Sequence, residues 1–516
     1  MLSLCDQLII GGYLLIVAGV GFFAGRGRKS TDEYILGGHR IPWWAAGLSI
    51  IATETSALTF IGAPTQSLRG DWTYLQTTLG SVLARFLVAA LLIGIYYRAR
   101  VFTVYDWLET RFGGKTRGAA TALFLFGRCL GSGVRLYGAS IALWVVTGGS
   151  LGFESSILLI ALAAIAYTLF GGIKAVIWTD VLQGFLLVGG GIAAVIVLGA
   201  SLGDDPASVW QQVMSATAAD GASKTRIFDF SFDPTTAYTF WAGLIGITVL
   251  TLATHGTDQD MVQRALTCRD AQAGKRSLWL SAFLALPIAF IFLLVGTLLY
   301  LVLGGEQGAA ALAGKIAVEA GASHPSKGFD YIFPYFAVHE FPSGVRGLII
   351  AGIFAAAMSS LDSAISALAS TTVTNVWKRW LVPGRDDSYY LGMSRRFTVF
   401  FGALLAVLAF IVWKTHDTGD AGRGFGILML GLKVLTWIFP PLLGVFLLGA
   451  LTGRGSDWGG VVALAAGIAV LLVVEFSESL FGTPPPWAWT WNPPIGFVVS
   501  FLVGACFGPH RTGGVS

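Results

Sequence analysis

The chain has 516 residues, 55% of them apolar and 13% aromatic, and only 12% charged, about half the roughly 25% of a soluble domain. A mean hydropathy of +0.72, with 67 glycines and 17 tryptophans, points to lipid as the solvent, where glycine and interfacial tryptophan are favoured. That excludes most soluble enzymes. A net charge of +4 without a basic run gives no sign of nucleic acid as a partner, and four scattered cysteines with no CxxC spacing suggest neither a disulfide framework nor a zinc ribbon.

A membrane span needs about 20 mainly apolar residues. By that rule about thirteen are predicted: 8–25, 43–67, 74–96, 118–147, 153–171, 175–202, 237–262, 276–304, 346–376, 395–413, 424–451, 458–480 and 493–509. The first is not expected to be a cleaved leader, because its cations follow it in GRGRKS. With the N-terminus outside, 21 of the 33 Lys and Arg fall in cytoplasmic loops and tail and 7 outside. That bias predicts an outer N-terminus and a cytoplasmic C-terminus. The blocks that set it are Arg26/Arg28/Lys29/Arg40, Arg98/Arg100/Arg111/Lys115/Arg117, Arg264/Arg269/Lys275/Arg276 and Lys378/Arg379/Arg385/Arg395/Arg396. Two long, mildly acidic outer segments, 203–236 (with Asp204, Asp205, Asp220, Asp229 and Asp233) and 305–345, read either as a lid or as passive connections.

The second span places Ala52-Thr53-Glu54-Thr55-Ser56 at its centre, where hydrocarbon is deepest. A helix that polar is expected to unwind there. The seventh span ends in Thr254-His255-Gly256-Thr257-Asp258-Gln259-Asp260, which is either a matching break or its cytoplasmic exit ahead of Arg264. Interrupted spans in corresponding positions of two halves are the sequence sign of a transporter's binding site. Five spans per half, 43–202 and 237–451, put the halves in opposite orientation. The remaining divisions are 1–42, one extra span and its loop, the outer segment 203–236, and 452–516, two further spans and a tail.

In the ninth span Ser359, Ser360, Asp362, Ser363 and Ser366 form an oxygen-rich surface among small alanines, suited either to a hard cation or to joining helices. Asp180, inside the sixth span, is costly in a membrane and marks a site by default. With Asp362 it offers two carboxylates that a cation would relieve; pairing with Lys174 or a helix cap is the alternative. Arg128 and Arg135, seven residues apart in the fourth span, fit an anionic ligand held through paired hydrogen bonds. They fit equally an internal pair with Glu54, Asp180 or Asp362. Lys433 in the eleventh span reads as an internal pair or a snorkelling side chain. His255, with no His or Cys partner, does not furnish an intramembrane enzyme.

Gly171-Gly172-Ile173-Lys174-Ala175-Val176-Ile177-Trp178-Thr179-Asp180-Val181-Leu182-Gln183, Asp258-Gln259, Val262-Gln263-Arg264 and Met358-Ser359-Ser360-Leu361-Asp362-Ser363 together resemble the sodium:solute symporter family along essentially the whole chain. The resemblance implies an all-helical polytopic membrane protein with the leucine-transporter-like five-plus-five inverted repeat. It implies a symporter that takes up sodium with a small polar solute by alternating access, and a cell-membrane location.

By matching motifs, sodium would be held by Ala52, Thr55, Ala356, Ser359 and Ser360. A second sodium, present in some members, would use Asp180, Ser359, Asp362 and Ser363; Asp362 stands where those relatives carry serine. Substrate would meet Ser56, Thr59 and Arg135, with Arg128 in reserve and Gln76 and Thr77 facing the same cavity. A carboxylate of the sialic acid or monocarboxylate type is the substrate implied. Sugar-transporting members carry Glu and Gln where this chain has Leu58 and Thr59, which disfavours the sugar or polyol alternative. A solute sensor that does not transport is the alternative of another class. Sodium, solute and lipid are the partners implied, and the oligomeric state is left open.

Overall fold

The computed structural model describes residues 2–25, 31–218, 221–320, 328–418 and 427–508. Arg26, Arg28, Lys29, Asp220 and the tail beyond residue 508 lie outside these residues.

The chain is a bundle of long apolar helices. They are α1 (Leu4–Gly25), α2 (Trp43–Glu54), α3 (Ala57–Arg69), α4 (Tyr74–Ala99), α5 (Gly114–Val146), α6 (Phe153–Leu202) and α7 (Ala242–Thr257). There follow α8 (Gln259–Leu266), α9 (Ala271–Val302), α10 (Val345–Leu381), α11 (Asp387–Thr418), α12 (Ile427–Leu451), α13 (Asp457–Glu475) and α14 (Asn492–Ala505). Bulky side chains such as Leu8, Phe185 and Phe283 stand exposed on α1, α6 and α9. Apolar surface of that extent fits a lipid surround.

Every predicted span falls on helix, but the count of thirteen does not follow from length and apolarity. Among the described residues nine helices pass that test, or ten when the bent pair α2 and α3 is taken as one span. The apolar stretches Phe153–Ala166 and Ala242–Thr257 are shorter. α6 is continuous by hydrogen bonding yet changes direction at Gly172, whose φ of 47° and ψ of −175° lie where only glycine is comfortable. One helix of 50 residues, far longer than the roughly 20 a bilayer needs, thereby becomes two predicted spans. The segment 305–345 is also not plain connection, since it carries helices Glu306–Glu319 and Phe329–His339.

α10 occupies the middle. It packs against α6, α5, α1 and α2, and its residues from Ala355 to Thr371 are all buried. The alanines and serines of this stretch allow that close approach. α1 is fastened to it by charge: Asp6 accepts from Arg346 Nε (2.9 Å) and Nη2 (2.7 Å) and from the amides of Gly344 and Gly347 (both 2.9 Å). Lys433 of α12 forms an internal pair with Glu475 of α13 (2.5 Å), the first of the two sequence readings.

Candidate functional site

Polar residues at mid-span break the helices where the sequence placed them. α2 stops at Glu54 and α3 starts at Ala57, with a 61° bend between them. Thr55 leaves helical geometry (φ −79°, ψ 71°), and Ser56 is extended (φ −77°, ψ 177°) and makes no side-chain cap to α3. The seventh predicted span is interrupted as well. Asp258 is extended (φ −82°, ψ 117°) between α7 and α8, and all eight residues of α8 are buried.

α10 lays its serines against the first break. Ser359 Oγ donates to the Ala52 carbonyl (3.1 Å) and to the Ala356 carbonyl (3.3 Å). Ser360 Oγ reaches the Ala356 and Ala357 carbonyls (3.3 and 3.1 Å). Ala52, Ala356, Ser359 and Ser360 therefore share one buried cluster of neutral oxygens across the two helices, and Thr55 lies buried at the break itself. Such a set supplies the hard ligands an alkali cation prefers. Ser363 Oγ continues the row by donating to the Ser359 carbonyl (2.6 Å), and the Asp362 carboxylate accepts from the Ser363 amide (2.6 Å).

Asp180 does not pair with Lys174, which is exposed. Its Oδ2 accepts from Ser49 Oγ (2.5 Å), Thr53 Oγ1 (3.3 Å) and Arg264 Nη2 (3.3 Å), while Oδ1 is buried with no hydrogen-bond partner among the described residues. The buried Tyr13 hydroxyl of α1 accepts from Gln183 Nε2 (3.2 Å).

Arg264 corrects its assignment to a cytoplasmic loop. Its side chain is 0% exposed, and it joins both breaks: Nε and Nη2 donate to Ser49 (2.9 Å) and Thr53 (2.7 Å) on α2, and Nη1 pairs with Asp260 (2.9 Å) on α8. Arg128 of α5 pairs with Asp258 (2.9 Å) and with Asp260. None of the acceptors Glu54, Asp180 or Asp362 expected for it is used. Two guanidinium groups thus face three carboxylates, Asp180, Asp258 and Asp260, an excess of one buried negative charge.

Beside the first break lies a cavity of about 170 Å³. Ser56, Thr59, Thr77, Arg128 and Arg135 line it, as the sequence suggested, together with Glu54 and His255 and an apolar wall that includes Ile51, Leu58, Ile288, Leu432 and Trp489. Gln76 is not part of the lining and is corrected. Its Nε2 donates to the Tyr238 carbonyl (2.7 Å) and its Oε1 accepts from the Asp229 amide (3.2 Å), so it fastens the segment before α7. Asp229 stays charged there, its carboxyl held below the usual range by the hydroxyl and amide of Ser231.

The two arginines part ways. Arg128 spends its charge on Asp258 and Asp260, whereas Arg135 makes no hydrogen bond or ion pair among the described residues, and its Nη1 is buried without a partner. Sequence reasoning also missed a cluster on the cavity wall. Arg85 of α4, fully buried, forms an ion pair with Glu54, and its Nε reaches His255 Nε2 (3.4 Å). Glu54 keeps 33% of its side chain exposed.

A helical bundle with two mid-span breaks around a buried oxygen cluster and a small cavity is a secondary transporter of the leucine-transporter-like class. The fold is shared, with a TM-score of 0.56 and 16% identity over 93% of this chain and 94% of the other, by a nucleobase-cation-symport-1 family transporter in a closed conformation. The chain belongs to the sodium:solute symporter family, whose profile matches residues 34–467.

It is 28% identical over 478 residues to the sodium/sialic acid symporter SiaT of Proteus mirabilis, covering 92% of this chain and 90% of that one. To the human sodium/iodide cotransporter it is 28% identical over 488 residues (93% and 70%). To human sodium-coupled monocarboxylate transporter 2 it is 26% identical over 495 residues (95% and 75%). Among solved structures, the substrate-bound outward-open state of a Na+-coupled sialic acid symporter superposes with a TM-score of 0.81, at 25% identity, over 98% of this chain and 99% of the other. The protein is accordingly a multi-pass cell-membrane symporter, not an enzyme, and sodium is the ion it co-transports.

Proposed function

We propose that the protein imports a small organic carboxylate with a partly apolar body, driven by sodium. The observation that carries this is Arg135, a cation on the cavity wall with no described partner. In water-poor surroundings such a guanidinium seeks an anion, and a carboxylate offers it two parallel hydrogen bonds. Arg128 and Arg85 are already paired with Asp258, Asp260 and Glu54, so Arg135 is the guanidinium on the wall left to meet an anionic ligand. The apolar wall formed by Ile51, Leu58, Ile288 and Leu432 favours a substrate with hydrocarbon over one covered in hydroxyls. It weighs against the sugar or polyol reading, and against sialic acid relative to a short monocarboxylate.

Sodium sits, in this proposal, among the Ala52, Thr55 and Ala356 carbonyls and the Ser359 and Ser360 hydroxyls. A second sodium lies near Asp180, Ser359, Asp362 and Ser363. The open Oδ1 of Asp180 and the excess negative charge of its network support it. Residues 43–202 and 237–451 act as the inverted repeats, with the N-terminus outside and the C-terminus in the cytoplasm, as the distribution of Lys and Arg supports. Sodium joining α2 to α10 organises the cavity beside the break and thereby raises substrate affinity. One charge crossing about 100 mV releases roughly 2.3 kcal/mol, and a tenfold sodium gradient adds about 1.4 kcal/mol. A carboxylate entering alongside gives back the electrical part of one sodium, so two sodium ions leave about 2.3 kcal/mol from the potential and about 2.8 kcal/mol from the gradient, enough for several-thousand-fold accumulation.

The test is uptake into proteoliposomes under an inward sodium gradient, with radiolabelled lactate, sialic acid and galactose in competition. Arg135→Ala is expected to lower carboxylate uptake at low substrate by about thirtyfold, the worth of a charge-assisted pair, and to leave any neutral solute untouched. Equal loss for both classes would make Arg135 structural. Sodium-independent binding without uptake would favour the sensor.

A further inference from the structure

We propose that a second, basic cavity at the end of the bundle that holds the Lys- and Arg-rich loops is a binding site for the headgroup of an anionic phospholipid, which clamps the first turn of the broken helix α2 to its neighbour. The cavity, of about 560 Å³, lies between the turn preceding α2 and the start of α9. Its lining brings together Arg40, Arg269 and Arg276 with Trp43 and Trp44.

The charges there are available to a ligand. Arg40 and Arg276 are exposed and make no hydrogen bond or ion pair among the described residues. Arg269 has Asp270 beside it (3.0 Å) with 79% of its side chain exposed. Three cations against one carboxylate leave a positive hollow. A polar ligand alone would not call for the tryptophans. Trp43 and Trp44 are 39% and 41% exposed, at the very start of a membrane helix, where indole rings mark the boundary between headgroups and acyl chains. Three cations and an indole pair lining one hollow at the start of a membrane helix match a lipid, with phosphate for the arginines and upper chain for the rings.

The position gives such a lipid a mechanical role. The turn before α2 is already joined to the end of α8: His39 Nδ1 lies 2.8 Å from the Leu266 carbonyl, and the Ile41 amide donates to the Thr267 carbonyl (3.2 Å). α2 and α9 run so close that a methyl group added at Gly47 would come within 2.8 Å of the Ser277 carbonyl oxygen. A phosphate bridging Arg40 and Arg276 holds the feet of α2, α8 and α9 together. The far end of α2 is the one that supplies the Ala52 carbonyl to the serine cluster.

The test compares the full-length protein with Arg40→Gln/Arg276→Gln and with a control, Arg98→Gln/Arg395→Gln, which removes two exposed cations from α4 and α11 near the same end. Native mass spectrometry after exchange into mixed phosphatidylglycerol and phosphatidylcholine reads retained lipid, and the melting temperature in detergent reads stabilisation by added phosphatidylglycerol. The wild type and the control are expected to retain phosphatidylglycerol over phosphatidylcholine. The cavity variant should lose about thirtyfold in retention, the order expected for two cations near an anionic surface, together with the rise in melting temperature. Equal loss in both variants would reduce the effect to diffuse attraction and overturn the site. Stabilisation by inorganic phosphate as strong as that by phosphatidylglycerol would assign the hollow to a soluble anion and overturn the lipid.

Discussion

The two broken helices share a backbone plan and differ in chemistry. Around Thr55 and Ser56 the groups that meet the serines of α10 are neutral carbonyls and hydroxyls, with the Glu54–Arg85 pair on the cavity side. Around Asp258 they are full charges, Asp258, Asp260, Arg128 and Arg264, all but completely buried. Neutral oxygens hold an ion firmly enough to select it and loosely enough to release it. Buried ion pairs, once formed, are costly to open because each partner would be left desolvated. The first break is suited to a ligand that comes and goes, the second to holding helices together, and Arg264 links them by donating to Ser49 and Thr53 on one side and pairing with Asp260 on the other.

The largest expected effect breaks the charged side of this contrast. Arg264→Gln leaves Asp180 and Asp260 buried without their shared cation and should cost about 3–5 kcal/mol, seen as aggregation on gel filtration and a lowered melting temperature. Adding Asp180→Asn should restore part of the folded fraction, since it removes the excess carboxylate. A single variant as stable as the wild type would show that the second break is held by something else.

Next comes the neutral side. Ser359→Ala or Ser360→Ala should fold normally yet raise the sodium concentration for half-maximal uptake about tenfold, the loss of roughly 1.4 kcal/mol of ligation. Unchanged sodium dependence would move the ion away from α10. The smallest effect sharpens the assignment of atoms. Thr55→Ala keeps the carbonyl and removes only the hydroxyl, so half-maximal sodium should shift by less than about threefold. A shift as large as that of Ser359→Ala would mean that the threonine hydroxyl, not the break itself, holds the ion.

What was legible in the sequence was what a local rule could carry. Five small or polar residues at the centre of an apolar run have no place in a continuous span, and they marked the first break to the residue. The serine row on α10 and the lone carboxylate of Asp180 stood out by the same contrast with their surroundings. Pairings across the chain were not legible. Arg264 looked like a loop cation because it follows the end of an apolar stretch; the only local hint was Asp260 four residues earlier, the spacing of an ion pair on one helix face. Nothing near Arg85 indicates that it meets Glu54, 31 residues away, and His255, 170 residues away. Resemblance to relatives points Gln76 and Thr77 at the same cavity, yet adjacent residues on a helix point about 100° apart, and only Thr77 lines it.

Ser56 begins α3 without a side-chain cap, and α2 ends at Glu54 just before it. Two helix termini of opposite polarity therefore meet within two residues: the partial negative charge of α2's last carbonyls and the partial positive charge of α3's first amides. The first attracts a cation and the second an anion, and each bound ion also lessens the repulsion that the other would feel from the far terminus. A cation and an anion held at these termini need not touch to favour one another. The bent peptide at Thr55 and Ser56 is itself a dipole pair, which makes occupancy by a cation at one terminus and by an anion at the other mutually reinforcing.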